Sequence, residues 1–269
     1  MKKFEGMILA CDMDGTLLDD DRQISQGNQQ ALRYFTQEGG RFSLATGRAP
    51  QAIHPYIPQM PFNAPYSLLN GSLILDSSHH VLHCAGMPED TKDLIRITLS
   101  EFSQIGCEIF VGNRVLIRRM SPETEHHIKV LDLEYSMVTQ ESLGNTAEWC
   151  KINFTGKPEQ MENVRMFLKP YTDRFCMASS MPAFCEITAS RINKGSALRQ
   201  IAADCGIAEN RIFAIGDSYN DEAMLQAAHI GFAPSNSDED ILRTADVVVC
   251  SNNEDAVAQA IEYLEAHYC

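Results

Sequence analysis

The chain has 269 residues, a length that suits one large or two modest domains. Of these residues 44% are hydrophobic, which is enough apolar material for a buried core and excludes an intrinsically disordered protein. Its 22 basic and 36 acidic side chains give a formal net charge of −14, which argues against nucleic acids and anionic membranes as partners because like charges repel. There is no run of about 18 apolar residues, so the sequence predicts no membrane span.

The first part of the chain alternates between apolar strands and amphipathic helices. Met7–Asp12 is a short apolar run that ends in an acidic residue, and it predicts a buried first strand rather than a signal peptide. A helical pattern around Leu32 follows, and then come predicted strands at Arg41–Thr46 and Tyr66–Leu69. This alternation is typical of a parallel sheet with crossover helices.

The middle of the chain, from about His83 to Thr188, has a different pattern, in which neighbouring strands form hairpins. Cys107–Arg119 predicts one hairpin, Trp149–Gly156 predicts a further strand, and Pro158–Leu168 predicts a helix. The segment therefore predicts an α+β domain inserted into the α/β one.

The α/β pattern returns near the end. Lys194–Cys205 has apolar residues at helical spacing, Arg211–Asp217 predicts a strand that ends in an acid, and a last helix is predicted from about Glu254 to His267. The predicted fold class is α/β, with a doubly wound, Rossmann-like parallel sheet and an inserted α+β domain. The predicted domains are residues 1–83 with 189–269, and residues 84–188.

Nine cysteines occur, an odd count, with no CxxC pair. Most lie in apolar runs, and we expect buried, reduced thiols and a cytoplasmic protein. The clustered cysteines and histidines that a zinc site needs are not found.

Four polar clusters are expected at one edge of the sheet, because ligands of open parallel sheets bind at the carboxyl ends of the strands. The clusters are Asp12-Met13-Asp14-Gly15-Thr16, Thr46-Gly47-Arg48, Asn193-Lys194-Gly195 and Gly216-Asp217-Ser218-Tyr219-Asn220-Asp221. Together they supply carboxylates, a hydroxyl, an amine and an amide.

This set of groups favours phosphoryl transfer with Mg²⁺. Asp12 and Asp217 can supply carboxylate oxygens and Asp14 a backbone carbonyl, which are the ligands that a hard cation prefers. Carboxylates that lie close together repel one another unless a cation neutralises them. Thr46 can donate a hydrogen bond to a phosphate oxygen, and Lys194 can bring a positive charge to it.

The four clusters, in this order, resemble the motifs of the haloacid dehalogenase (HAD) superfamily of phosphatases. The matching segments are DMDGTLL (Asp12–Leu18), LATGR with Thr46, NKGSAL with Lys194, and GDSYNDEAML (Gly216–Leu225). The long insert resembles the C2-type cap of the Cof-type subfamily, and LLNGSLILD (Leu68–Asp76) is similar to a segment that precedes that cap.

The resemblance implies a HAD core with an inserted C2 cap, and a Mg²⁺-dependent phosphatase acting on sugar phosphates or other small phosphorylated metabolites. Asp12 would be the nucleophile that forms an aspartyl-phosphate, and Asp14 would be the general acid and base. Asp217 would complete the metal site with Asp12 and the Asp14 carbonyl. Asp221 would lie behind this site, paired with Lys194 or with a metal-bound water.

The resemblance also implies a phosphate-binding set, made up of the Met13 amide, Thr46, Gly47, Lys194 and Asn220. Two further residues keep two interpretations each. Arg48 could contact the cap or the substrate, or pair with a surface carboxylate. Asn70 is favoured as a turn residue over a substrate contact.

Two other functions stay open at this point. A sugar phosphomutase would use the same residues and pass the phosphoryl group to a second hydroxyl. A non-catalytic binding or regulatory protein on the same fold would be expected to lack a catalytic group, yet all of them are present. The sequence leaves the oligomeric state open between monomer and homodimer.

Overall fold

The computed structural model describes residues 2–269, with strands and helices along its whole length. The strands are β1 Ile8–Cys11, β2 Arg41–Leu44, β3 Tyr66–Leu68, β4 Leu73–Leu75, β5 Val81–Cys84, β6 Gly106–Val111, β7 Arg114–Arg119, β8 Tyr135–Met137, β9 Lys151–Thr155, β10 Phe175–Ala178, β11 Phe184–Ala189, β12 Ile212–Ile215, β13 Ile230–Pro234 and β14 Val247–Val249. The helices are α1 Gln26–Gln37, α2 Pro50–Ile53, α3 Thr91–Glu101, α4 Pro122–Leu131, α5 Pro158–Leu168, α6 Lys194–Asp204, α7 Glu222–Leu225, α8 Glu239–Thr244 and α9 Ala256–Tyr268.

The chain folds into two compact units. The first comprises the residues up to Gly47, Pro55–Leu82 and Asn193–Cys269, and the second comprises Arg48–His54 and His83–Ile192. The sequence had not predicted that Arg48–His54 groups with the inserted part of the chain. No helix within residues 2–269 has the length and apolar character needed to cross a bilayer.

The first unit contains a five-stranded parallel sheet in the order β14-β13-β12-β1-β2. A parallel bridge between Ala45 and Ser67 joins the end of β2 to β3, which also forms a small sheet with β4 and β5. β2, which follows β1 in the chain, lies on one side of β1, and β12 lies on the other side. The strand order therefore reverses at β1. All four residues of β1 are buried, which explains its continuous apolar run.

The register of these strands aligns their carboxyl ends. Cys11 is paired with Ile215 on one side and with Leu44 on the other. The Asp12 amide donates to the Ile215 carbonyl at 2.9 Å, and the Ala45 amide donates to the Cys11 carbonyl at 2.9 Å. The residues that follow β1, β2 and β12 therefore meet at one edge of the sheet.

Helices cover both faces of this sheet. Leu198 and Ile201 of α6 are buried in one apolar cluster with Ala214 of β12. Phe213 points to the opposite face, because neighbouring side chains alternate along a strand, and its ring packs against Tyr268 of α9 with centroids 5.0 Å apart. The predicted doubly wound α/β architecture is confirmed.

The second unit contains a six-stranded sheet in the order β10-β11-β9-β6-β7-β8, antiparallel except between β7 and β8. Ile95 of α3 and Val164 of α5 pack with Ile152 of β9 in one apolar cluster. Four antiparallel strand pairings, together with the helices packed against the sheet, confirm the predicted α+β character of the insert. Polar groups are buried in this unit too, with Asn153 donating to Glu108 at 3.0 Å.

Candidate active site

The loop after β1 presents the first polar cluster at the carboxyl edge of the parallel sheet. Asp12 is buried, with 5% of its surface exposed, whereas Asp14 is exposed. Gly15 has φ +74°, a conformation that favours glycine, and a Cβ at this position would collide with the carboxylate of Asp217. Glycine at this position therefore allows the loop to pass close to Asp217, in the segment after β12.

A buried lysine lies between two carboxylates at this edge. Lys194 is the first residue of α6 and is 0% exposed. Its Nζ donates to Asp12 Oδ1 at 2.6 Å and to Asp221 Oδ1 at 2.7 Å. Asn193 caps the helix by accepting from the Ser196 amide at 2.8 Å, which fixes where the helix begins.

The loop after β12 is organised around Asp221. Its Oδ2 accepts hydrogen bonds from the amides of Asp217 at 3.2 Å and of Ser218 at 3.1 Å, while its Oδ1 accepts from Lys194. Asp217 Oδ1 accepts from the Thr16 hydroxyl at 2.7 Å. Both carboxylate oxygens of Asp221 thus accept hydrogen bonds from protein donors, whereas the Asp217 side chain is only partly buried.

Burial and charge crowding perturb the ionisable groups of this cluster. Burial, followed by repulsion from Asp221, raises the pKa of Asp12 well above its ordinary value, while Lys194 acts in the opposite direction. Burial and repulsion from Asp221 raise the pKa of Asp217 to about 7, against the hydrogen bond from Thr16. For Lys194 itself, burial lowers the pKa, but the attraction of the two carboxylates outweighs it and raises the pKa above its ordinary value.

These acidic groups fit a divalent cation. Oxygens of Asp12, Asp217 and Asp221 all lie within 4.8 Å of one another. Three carboxylates face one ammonium group, so the cluster has an excess of negative charge that a divalent ion bound through oxygen would neutralise.

The predicted phosphate-binding residues come from three neighbouring segments. Thr46 is 1% exposed, and its amide donates to the Ser67 carbonyl at 3.1 Å, which places it and Gly47 directly after β2. Met13 follows Asp12, and its carbonyl accepts from the Leu18 amide at 2.9 Å. Its side chain is buried, so only its backbone can serve a ligand.

Asn70 and Asn220 form a buried amide pair in the same unit. Asn220 Nδ2 donates to Asn70 Oδ1 at 3.3 Å. No group of the described residues lies within hydrogen-bonding reach of Asn70 Nδ2 or Asn220 Oδ1, although both atoms are buried. The Asn70 amide also donates to the Thr46 carbonyl at 3.1 Å, which ties this turn to the second motif.

The turn that carries Asn70 is strained. Leu69 and Asn70 have φ +53° and +57°, and Gly71, at φ +92°, lies so close to the Asn193 carbonyl that a Cβ would collide with it. A strained backbone and an amide donor without a protein partner are typical of a binding site rather than of a turn alone. A substrate contact by Asn70 stays a prediction.

Arg48 is placed differently from the other predicted residues. It belongs to the second unit, is 6% exposed, and donates from Nη1 to the Ala52 carbonyl at 3.1 Å. It is therefore buried rather than a solvated surface cation. A contact with the cap or the substrate stays a prediction.

Two residues of the site received no role in the sequence analysis. Thr16 is 0% exposed and holds Asp217, and Asn236 Nδ2 donates to the Gly15 carbonyl at 2.9 Å. Thr16 belongs to the first polar cluster, but nothing in the sequence indicates that it holds Asp217. Asn236 follows β13 and has no local motif that marks it.

Known proteins resemble the chain over almost its full length. A family model described as haloacid dehalogenase-like hydrolase matches residues 9–261. A 5-amino-6-(5-phospho-D-ribitylamino)uracil phosphatase of Bacillus subtilis (strain 168) is 27% identical over 258 residues, which cover 95% of this chain and 94% of the relative.

Solved structures share the fold. A haloacid dehalogenase-like hydrolase of Bacillus subtilis superposes with a TM-score of 0.85 at 24% identity and covers 100% of both chains. A sugar phosphatase of HAD subclass IIB superposes with a TM-score of 0.83 at 20% identity, over 96% of this chain and 98% of its own. Because the family model spans nearly the whole sequence and several relatives are named phosphatases, the chain belongs to the haloacid dehalogenase superfamily, as a Cof-type hydrolase of phosphoric monoesters.

Proposed function

We propose that the protein is a Mg²⁺-dependent phosphatase that hydrolyses phosphate monoesters of small metabolites through an aspartyl-phosphate on Asp12. The observation that carries the proposal is the position of Lys194, whose ammonium group contacts Asp12 at the carboxyl end of β1 and is held there by Asp221. A cation beside a nucleophilic carboxylate is what a phosphate dianion needs to approach it.

Asp12 attacks the phosphorus atom with a carboxylate oxygen. Lys194 contacts Oδ1, favours the ionised carboxylate and fixes its orientation. The P–O bond to the alcohol breaks as the bond to Asp12 forms, which divides hydrolysis into two easier displacements.

Asp14 handles the proton. It is two residues from the nucleophile and is exposed, so a substrate oxygen and a water molecule can both reach it. It protonates the leaving alcohol in the first displacement and takes a proton from the attacking water in the second.

The phosphate oxygens are bound by donors from the neighbouring segments. The Thr46 hydroxyl, the amides of Met13 and Gly47, and the Lys194 ammonium group are assigned this role. Asn70 joins them, because its buried Nδ2 has an unused hydrogen, and Asn220 orients Asn70 through its own amide.

Magnesium would be held by the carboxylates of Asp12 and Asp217 and by the Asp14 carbonyl, with Asp221 held back by Lys194. When bound, the ion supplies positive charge that offsets the phosphate and the crowded carboxylates.

The substrate class is a phosphate ester of a sugar or a similar polyol. The B. subtilis relative is named for a phosphorylated ribityl compound, and a solved neighbour is titled a sugar phosphatase. A net charge of −14 also disfavours polyanions as substrates. We include a cytoplasmic location in the proposal, which the nine free thiols support.

Hydrolysis of p-nitrophenyl phosphate and of a panel of sugar phosphates tests this function. Asp12→Asn should lower kcat on the order of 10³-fold or more with an unchanged far-UV circular dichroism spectrum, and Asp21→Asn, at an exposed position of the same unit, should not. EDTA should stop turnover and Mg²⁺ should restore it. Turnover by Asp12→Asn, or full activity after chelation, contradicts the proposal, and isomerised sugar phosphate without free phosphate would indicate a mutase.

A further inference from the structure

Two cysteine sulfur atoms lie in contact in the second unit. Sγ of Cys84, the last residue of β5, is 3.2 Å from Sγ of Cys150, the residue before β9. Cys84 is exposed, whereas Cys150 is 0% exposed. We propose that these two cysteines form a redox modification site, which a hydroperoxide converts from a dithiol into a disulfide.

The backbone holds the two sulfur atoms together. The Met87 amide donates to the Thr146 carbonyl at 2.9 Å, and a Cβ at Gly86 would collide with the Ala147 carbonyl, so the two chain segments lie directly against each other. A disulfide bond is about 2.05 Å long, so the two sulfur atoms need to approach by only about 1 Å.

Cys150 is fixed from its other side by β6 and the turn after it. Its amide donates to the Phe110 carbonyl at 2.7 Å, and its Sγ accepts from the Gly112 amide at 3.4 Å. The buried sulfur therefore has a defined position from which it can meet Cys84.

The two thiols differ in reactivity. The hydrogen bond with Cys150 lowers the pKa of Cys84 to about 7, against burial and the charge of Glu148. The same hydrogen bond, with burial, raises the pKa of Cys150. Cys84 is thus the exposed thiol with a substantial thiolate fraction at neutral pH, and Cys150 is suited to react second.

The reaction balances with one molecule of hydrogen peroxide. The Cys84 thiolate attacks one peroxide oxygen, the O–O bond breaks, and the products are Cys84 sulfenic acid and hydroxide. The Cys150 sulfur then attacks the Cys84 sulfur, the S–O bond breaks, and the departing oxygen takes the Cys150 proton and leaves as water. The two thiols lose two electrons, which reduce the peroxide, and a dithiol reductant reverses the change.

Cys107 and Cys185 of the second unit and Cys269 of the first unit lack this combination. Cys107 and Cys185 are both 0% exposed in the apolar core, and burial raises the pKa of each. Buried thiols of this kind react slowly with oxidants. Cys269 is exposed, but its Sγ donates to the Lys3 carbonyl, and burial raises its pKa.

A disulfide would join positions 66 residues apart in the sequence. It would fasten the segment by which the chain enters the second unit to the start of β9. Closing so long a loop restricts the unfolded chain, so the oxidised protein should have a higher thermal midpoint than the reduced protein.

The test uses the full chain, reduced and then treated with stoichiometric hydrogen peroxide. Trypsin places Cys84 in peptide 49–92 and Cys150 in peptide 130–151, each with no second cysteine. Non-reducing mass spectrometry should find these two peptides linked, with the loss of two hydrogens and in monomeric protein, and dithiothreitol should separate them.

Variants resolve the order of the two steps. Cys150→Ser should accumulate a sulfenic acid at Cys84 that dimedone traps, at a rate at least about tenfold above that at Cys269. Cys84→Ser should leave Cys150 unmodified, and Cys269→Ser should form the link as the wild type does. The reduced variants should match the wild type in circular dichroism and in phosphatase activity. Peptides 49–92 and 130–151 that stay unlinked, or that are linked only between molecules, overturn the proposal, as does dimedone labelling of Cys84 no faster than that of Cys269.

Discussion

Asp217→Asn should make the metal-free protein more stable while it removes the response to Mg²⁺. Asp217 lies beside Asp12 and Asp221. Burial, followed by the charges of Asp221 and Asp14, acts against its ionisation and raises its pKa. Asparagine has nearly the same shape and keeps an oxygen that accepts from the Thr16 hydroxyl. The substitution therefore removes a charge without opening a cavity.

The size of the effect follows from the pKa of Asp217, which is about 7 in the folded protein and 3.8 without the surrounding structure. About three pKa units at 1.36 kcal/mol each correspond to about 4 kcal/mol. The folded state binds the proton more tightly than the unfolded chain does, so the free energy of unfolding of the metal-free protein falls as the pH rises from about 4 to about 7. Asp217→Asn should remove this loss, so its free energy of unfolding should exceed that of the wild type at pH 8 and differ little from it near pH 4. The new amide hydrogens are only partly satisfied, which reduces the expected gain at pH 8 to about 2–4 kcal/mol.

Urea unfolding in EDTA, followed by far-UV circular dichroism, measures the difference at a series of pH values. Circular dichroism is preferred to tryptophan fluorescence because the single tryptophan, Trp149, lies in the second unit. Asp21→Asn, at an exposed site, is the matched control. A stability difference between Asp217→Asn and the wild type that does not change between pH 4 and pH 8 would refute the reasoning, and so would undiminished stabilisation of the variant by Mg²⁺.

Substitutions at three further positions test other parts of the site. Lys194→Met leaves Asp12 and Asp221 without their cation, and we expect a loss of about 3–5 kcal/mol in the free energy of unfolding at pH 8, together with loss of turnover; stability equal to that of the wild type would contradict this. Asn70→Ala removes the buried amide donor and should lower kcat/KM about 10- to 100-fold. Asn70→Asp should lower kcat/KM further, because a carboxylate repels the phosphate. An Asn70→Asp variant as active as the wild type would show that Asn70 is only a turn residue. Gly15→Ala combines a positive φ with a collision against the Asp217 carboxylate, whereas the control Gly206→Ala has φ +66° but open space around it. In urea unfolding and phosphatase assays, Gly15→Ala should therefore lose more stability and activity than Gly206→Ala. Equal losses would show that the collision is unimportant.

The sequence predicts the frame of the first unit well, because its elements have strong local signals. Ile8–Cys11 and Ile212–Ile215 are fully apolar strands followed by polar residues. In the second unit, α5 has the predicted bounds Pro158–Leu168. The register of a parallel sheet then brings the strand ends together without further information. This is why the sequence alone predicts Asp12, Thr46 and Asp217 at one edge of the sheet.

What the sequence did not predict depends on contacts between distant segments. The short strands Leu73–Leu75 and Tyr135–Met137 are too brief for a period to be recognised. Asn70-Gly71 has the composition of an ordinary turn, and only the folded structure shows that Asn70 lies in hydrogen-bond contact with Asn220 and Thr46. In the same way, the contact between Cys84 and Cys150 links residues that carry no shared motif.

The energetics of the cluster argue for function independently of any resemblance. Lys194 is a fully buried cation at the first position of α6, where the partial positive charge of the helix end disfavours it. Asp12 and Asp217 have raised pKa values, so their ionised forms also oppose folding near neutral pH. A fold that needed only stability would place apolar residues at these positions, since well-packed apolar groups replace buried ion pairs without loss. The helix end and the ammonium group beside Asp12 favour an anionic ligand, and a divalent cation bound with that ligand would offset the surplus of carboxylates. A phosphate ester bound together with such a cation is the ligand that suits this arrangement at the point where the strand order reverses.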